Sequence, residues 1–273
     1  MDLIRSLAAG WQAVTRRVVL VVLACSLAGA CASNPHDTTN DPIEGLNRHV
    51  FAFNGAVDTA LIKPAAVIYR EAVPRPLKDM LENFLDNLTM PLTIIHDLLQ
   101  GKPERAQVAF GRFFLNTVVG VGGLFDIATP TGFVLHKEDA GQTLAVHGVD
   151  SGPYLVLLLL GPSSVRDATG TLVDFVIDPV GLASYGLLDS KARTIFGAAR
   201  SGATAIVQRE KLIEPLDALS DSLDYYATIR AAYRQRRAID IRDGNPVAEG
   251  EKKVDPFASF EDDAKPVPKA ATQ

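Results

Sequence analysis

The chain has 273 residues, with 27 basic against 32 acidic side chains and a formal charge of −5. Hydrophobic residues make up 47% and charged residues 22%, so a core is available and wholesale disorder is excluded. The acidic balance argues against a nucleic-acid partner, Cys25 and Cys31 frame neither a disulfide scaffold nor a metal site, and no apolar run reaches the ~20 residues of a spanning helix.

Residues 1–30 read as a secretory signal. Arg5, Arg16 and Arg17 precede the apolar run from Val18 to Ala24, and Leu27-Ala28-Gly29-Ala30 leads into Cys31. Small residues directly before a cysteine suit lipoprotein processing, which would place two acyl chains' worth of anchoring on Cys31 without a spanning helix. An ordinary signal cut near Ala28-Gly29-Ala30 is the alternative, and Cys25 is a weaker competitor as the lipidated residue. Ala32 follows Cys31 where aspartate would direct retention in the inner membrane, so the outer membrane is favoured. Loss of 1–30 also removes Trp11, the one tryptophan in the chain.

After a tether at 31–40, Asp41-Pro42-Ile43-Glu44 combines an N-cap aspartate, a proline at the first helical position and a glutamate at the third. Ile43, Leu46, Val50, Phe53 and Val57 then fall within ~80° of arc, with Glu44 and Arg48 opposite, so the spacing predicts an amphipathic helix ending before Pro64. Pro74 and Pro76 open the next, along Leu77, Met80, Leu81, Phe84 and Leu88. Met90-Pro91 starts another that stops at Gly101. Pro103 begins a longer one through Phe110, Phe113 and Phe114, expected mainly as core, that ends in Gly120-Val-Gly-Gly123.

Asp139 to His147 reads as a short helix. Tyr154 to Leu160 is a run of apolar residues between two Gly-Pro pairs, and it suits a buried strand, a core helix or a lipid-facing segment equally. Ser163 or Ser164 caps a helix that stops before Pro179. The longest helix runs from Ser190 to Glu214, with Ile195, Ala199, Ile206 and Ile213 on one face, and Pro215 breaks it. A last helix from about Asp221 to Ile241 carries Leu223, Tyr226, Ile229 and Tyr233, and Gly244-Asn245-Pro246 stops it. Its basic run, Tyr233 to Arg237, either satisfies the helix macrodipole or meets a lipid headgroup or partner. The reading is mainly α: one helical domain over 41–244, with 245–273 as a disordered tail.

Catalytic signatures are missing. No Gly-x-Ser-x-Gly elbow, phosphate-binding loop or paired-histidine zinc motif occurs, so no catalytic or metal-binding residue and no cofactor is assigned.

Several stretches in order resemble the MlaA/VacJ family of outer-membrane lipoproteins. They are Asn40-Asp-Pro-Ile-Glu-Gly-Leu-Asn-Arg48, Asn83-Phe-Leu-Asp-Asn-Leu88, Leu98-Leu-Gln-Gly-Lys102, Gly111-Arg-Phe-Phe-Leu-Asn-Thr117 and Gly120-Val-Gly-Gly-Leu-Phe-Asp126. Gly141-Gln-Thr-Leu144, Gly152-Pro-Tyr154 and Gly161-Pro-Ser-Ser-Val-Arg-Asp167 continue the series. The resemblance implies a helical ring embedded in one leaflet, with an amphipathic channel. It implies removal of mislocalised phospholipid from the outer leaflet and transfer to a periplasmic carrier, in association with trimeric porins. A porin-docked adaptor without a lipid passage is the alternative.

On this footing Gly120, Gly122, Gly123, Tyr154, Leu155, Leu157 and Leu159 are candidates for a mobile, apolar gate on the lipid path. Arg112, Asn116, Asp126, Arg166 and Asp167 are candidates either for satisfying buried backbone groups or for contacting headgroups.

Overall fold

The computed structural model describes residues 39–245. Cys31 and the 1–30 signal, most of the 31–40 tether, and the tail from 246 onward lie outside the described residues.

The first helix shows how this chain is built. Helix α1 (Glu44–Val57) passes through a wide π turn (Asp58–Ile62) into α2 (Lys63–Ala72). Pro64, expected to end α1, does not. Proline cannot donate to the preceding turn, and the π turn, in which the Lys63 amide reaches Asp58 O, carries the chain past it. The resulting helix is 29 residues long and, by length and composition alone, apolar enough to cross a membrane, although no single apolar run in the sequence is.

Most of its apolar face points away from the core. Leu46, Phe53, Leu61 and Ile68 are exposed, whereas the buried positions are Asn47 and Ala66. Asp41 does not cap α1 either. Its carboxylate is buried and accepts hydrogen bonds from Asn47 (2.8 Å), the Tyr226 hydroxyl (2.5 Å) and Arg230 (2.6 Å), which are stronger calls on an anion than a helix N–H.

The same inversion recurs along the chain. Helix α3 (Arg75–Leu99) is one continuous helix with Pro91 inside it, not two, and it buries Asn87, Thr93, His96 and Asp97 beside Leu85 and Met90. It packs most extensively against α4 (Pro103–Val118), which buries Ala106, Ala109, Arg112 and Asn116. Phe110 and Phe114, expected as core, stack on each other at 6.3 Å on the exposed side. Ile195 and Leu223, at the apolar positions of their predicted helices, are exposed as well.

Helix α5 (Ala140–Val146) begins with a capping box between Asp139 and Gln142. The ambiguous apolar run resolves into an antiparallel hairpin, β1 (Tyr154–Leu157) and β2 (Gly161–Ser164), with Leu157 opposite Gly161. Ser164 then caps α6 (Val165–Ile177). Asp178 caps α7 (Pro179–Leu187), a helix the sequence reading left out. After it come α8 (Ser190–Lys211), α9 (Ile213–Leu219) and α10 (Tyr225–Ile241). The long helix breaks at Leu212, so Pro215 sits in the first turn of α9 instead of causing the break by itself.

A small apolar core of Tyr154, Val156 and Tyr226, flanked by Val50, Phe51 and Tyr233, joins the hairpin to α1 and α10. Elsewhere among the described residues, polar and charged side chains outnumber hydrophobic ones in the buried set. Water-soluble domains show the reverse.

Candidate functional site

Helices α3 and α4 and the loop after α4 border a partly open cavity of about 180 Å³. Its walls carry Glu82, Asn83, Asp86 and Asn87 from α3, Arg112 and Asn116 from α4, and Asp126 and Thr129 from the loop. Three sequence candidates thus meet at one place. Arg112 donates to Thr129 Oγ1 (2.8 Å), to the Phe133 carbonyl (2.5 Å) and to Asp126 Oδ2 (3.2 Å). Asn116 Oδ1 accepts from the amides of Ile127 and Ala128, both at 2.9 Å. These side chains therefore satisfy the loop's buried backbone groups and line the cavity at once.

The cavity's charges are matched. Burial would push the Asp126 carboxyl up, but hydrogen bonds from Thr129 and Arg112 and the guanidinium charge hold it at about 2. At the rim, Glu82 pairs with Lys211 and Asp86 with Lys137. Such a volume admits a polar group of headgroup size and falls short of the ~300 Å³ at which drug-sized ligand pockets begin.

The glycine turn borders this site. Gly120 is buried, and a Cβ there would stand 2.3 Å from the Phe125 carbonyl oxygen. Gly123 has φ +94°, and a Cβ there would stand 2.6 Å from Asn87 Cβ. Close packing, as well as conformational freedom, requires these glycines.

Arg166 and Asp167 belong to a separate network at the end of α10. Asp167 accepts from Tyr233 (2.5 Å), Arg237 (3.0 Å) and Arg166 (3.0 Å), and Arg237 also holds Asp139 through two bonds of 2.6 Å. Against the cost of burial, these donors keep the Asp167 carboxyl below its ordinary value. Burial, and then the bond to Asp167, raises the Tyr233 hydroxyl above its own. The basic run at 233–237 thus supplies ties between helices. Of the run's three arginines, Arg236 is exposed, at 79% of its side chain, and Arg234 and Arg237 are half-buried.

The hairpin carries the remaining candidates. Tyr154 is a core residue, with its ring about 6 Å from those of Tyr226 and Tyr233. Leu155 and Leu157 are half-buried and Leu159 is exposed at the tip. Among the described residues the outer edge of β1 has no partner strand, and α1 replaces one. Asn47 donates to the Tyr154 carbonyl (3.0 Å) and accepts from the Val156 amide (2.9 Å). One heptad later, Asn54 donates to Leu157 O and accepts from Leu159 N, both at 2.9 Å. The Tyr154 amide is taken by Asn40 O at 2.9 Å. Sequence reasoning missed both asparagines. Their spacing of seven, which returns to the same side of a helix, was the available signal.

Among the described residues, no group of three or more His, Cys, Asp or Glu side chains is arranged to hold a metal ion.

The family model described as MlaA lipoprotein matches residues 39–240. The chain is 34% identical to the intermembrane phospholipid transport system lipoprotein MlaA of Escherichia coli (strain K12), over 81% of this chain and 86% of that protein. It is 30% identical to the protein of the same name from Haemophilus influenzae, over 88% and 96%. A solved structure concerned with the structural basis for maintenance of bacterial outer membrane lipid asymmetry superimposes with a TM-score of 0.64 at 33% identity, covering 74% of this chain and 98% of that one.

Proposed function

Because the chain belongs to the MlaA lipoprotein family, we propose that it removes mislocalised phospholipid from the outer leaflet of the outer membrane and passes it to a soluble periplasmic carrier of the same transport system. The observation that carries this reading is the inverted polarity of the helices, with leucine and phenylalanine outside and asparagine, aspartate and arginine within. An apolar exterior over a hydrogen-bonded polar interior suits a surrounding of acyl chains.

The energetics define the task. Exposing the ~30 methylenes of a diacyl lipid to water costs ~24 kcal/mol at ~0.8 kcal/mol per CH₂. A chain without a nucleotide-binding motif meets this by sheltering the tails. In this reading Cys31 carries the lipid anchor, and the helices sit as a ring in the periplasmic leaflet beside trimeric porins. The cavity of Arg112, Asn116 and Asp126 receives the polar headgroup. The tails follow Leu155, Leu157 and the glycine turn at 120–123, while Arg166 and Asp167 hold the frame. The chain moves lipid and does not cleave it.

The size of the cavity favours one other reading, a porin-docked adaptor with no passage of its own, since about 180 Å³ holds a headgroup and not a whole lipid. Reconstitution in proteoliposomes with the carrier and a labelled phospholipid separates the possibilities. Label is expected to reach the carrier intact. Docking of the carrier without transfer would establish the adaptor, and release of lysolipid would establish a hydrolase.

A further inference from the structure

The turn between β1 and β2 consists of Leu158, Leu159 and Leu160, exposed to 60%, 59% and 70%. Hairpin turns ordinarily carry glycine, asparagine or aspartate, which tolerate left-handed backbone and face water. Here Leu159 itself takes φ +63°. A left-handed conformation is costly for a leucine, and glycine would relieve it. Strain retained beside three outward leucines marks a position where the side chains matter more than the ease of the turn.

Three further observations say what these leucines meet. First, the open edge of β1 is closed by Asn40, Asn47 and Asn54, up to the amide of Leu159 itself. An unpaired sheet edge is tolerated in water and not in hydrocarbon. Second, Asn54 places the tip beside Phe53, which is 52% exposed, so the tip continues the outward apolar face of α1. Third, the base of the hairpin is bonded to Asn40, and at most ~32 Å of extended chain separates Asn40 from Cys31. A lipid anchor on Cys31 keeps the hairpin within that reach of the bilayer.

We propose that the Leu158–Leu160 tip is a fixed wedge inserted among the acyl chains of the bilayer, rigidly coupled to α1 through Asn54. This rests on the membrane-seated reading given above and adds to it a specific point of penetration. The wedge sets the depth and tilt of the hairpin, and therefore of α1, within the leaflet.

A tryptophan reporter tests it, because Trp11 is the one tryptophan of the chain. In the full-length protein with Trp11→Phe, Leu159→Trp is reconstituted in phosphatidylethanolamine–phosphatidylglycerol vesicles, with and without brominated acyl chains. Phe53→Trp serves as the parallel site on α1. The expected result is blue-shifted emission and at least twofold quenching by brominated lipid at both positions. Water-like emission at 159 with lipid quenching at 53 overturns the wedge and leaves the membrane reading standing. Water-like emission at both overturns the two together.

A second variant guards against disruption by the indole. Leu159→Asn suits left-handed backbone and removes the apolar side chain, so thermal stability should hold or rise while vesicle partitioning falls severalfold. Undiminished partitioning would also overturn the wedge.

Discussion

Asp126 accepts hydrogen bonds from the Thr129 amide and hydroxyl, from Arg112 and from Asn116. Folding moves its carboxyl from an ordinary 3.8 to about 2, as the donors outweigh burial. A carboxylate depressed on folding favours the fold at pH above its unfolded value and loses that contribution as pH falls toward the folded one. Asp126→Asn is therefore expected to lower stability by about 1–2 kcal/mol at pH 7. The gap from the unsubstituted protein should narrow between pH 4 and pH 2. Denaturant titrations in detergent at pH 7 and pH 2.5 measure both quantities, and a gap that stays constant would remove Asp126 from the loop's support.

Asn47 and Asn54 do the work of a missing strand, and the geometry makes the amide essential. Each side chain must donate to a carbonyl and accept from an N–H of β1. Aspartate has the same shape and cannot donate. In Asn47→Asp the new carboxylate would face both the Tyr154 carbonyl and the buried Asp41 carboxylate, now 2.8 Å from the Asn47 amide nitrogen. The expected loss is about 3–5 kcal/mol, the scale of an uncompensated buried charge. Asn54→Asp, at a more open position, should lose less. Amide exchange at Val156 and Leu159 reads the two sites separately, each accelerating with its own variant.

At this scale the sequence was legible in part. Punctuation was readable where it is local chemistry: Pro103, Asp139, Ser164 and Ser190 all mark helix starts as expected. Proline was misread at 64 and 91, because a π turn and a long packed helix absorb it, and neither has a local signature. Of the candidate site, Arg112, Asn116 and Asp126 were found through family-like motifs. The facing wall of Glu82, Asn83, Asp86 and Asn87 depends on how α3 lies against α4, which periodicity does not contain.

For the molecule as a whole, the direction of the apolar stripes was legible through the family resemblance and not through periodicity, and the reason is physical. Helical periodicity identifies an apolar stripe but not the medium it faces. The resemblance to a leaflet-embedded ring implied that apolar faces meet lipid, while the phenylalanines of α4 were expected mainly as core. In the structure Leu46, Phe53, Phe110, Phe114 and Ile195 lie outside. The consequence is an inverted pattern of tolerance. Phe53→Glu with Leu61→Glu alters two exposed side chains and should change thermal stability in detergent by no more than ~0.5 kcal/mol each. Each side chain is worth ~1.5–3 kcal/mol when transferred from water to an apolar surrounding, so the pair should weaken vesicle binding at least tenfold. Vesicle sedimentation alongside thermal melts measures both effects. A variant that melts early while binding membranes normally would mean that these residues face a protein interior, and the inverted reading of α1 would fall with it.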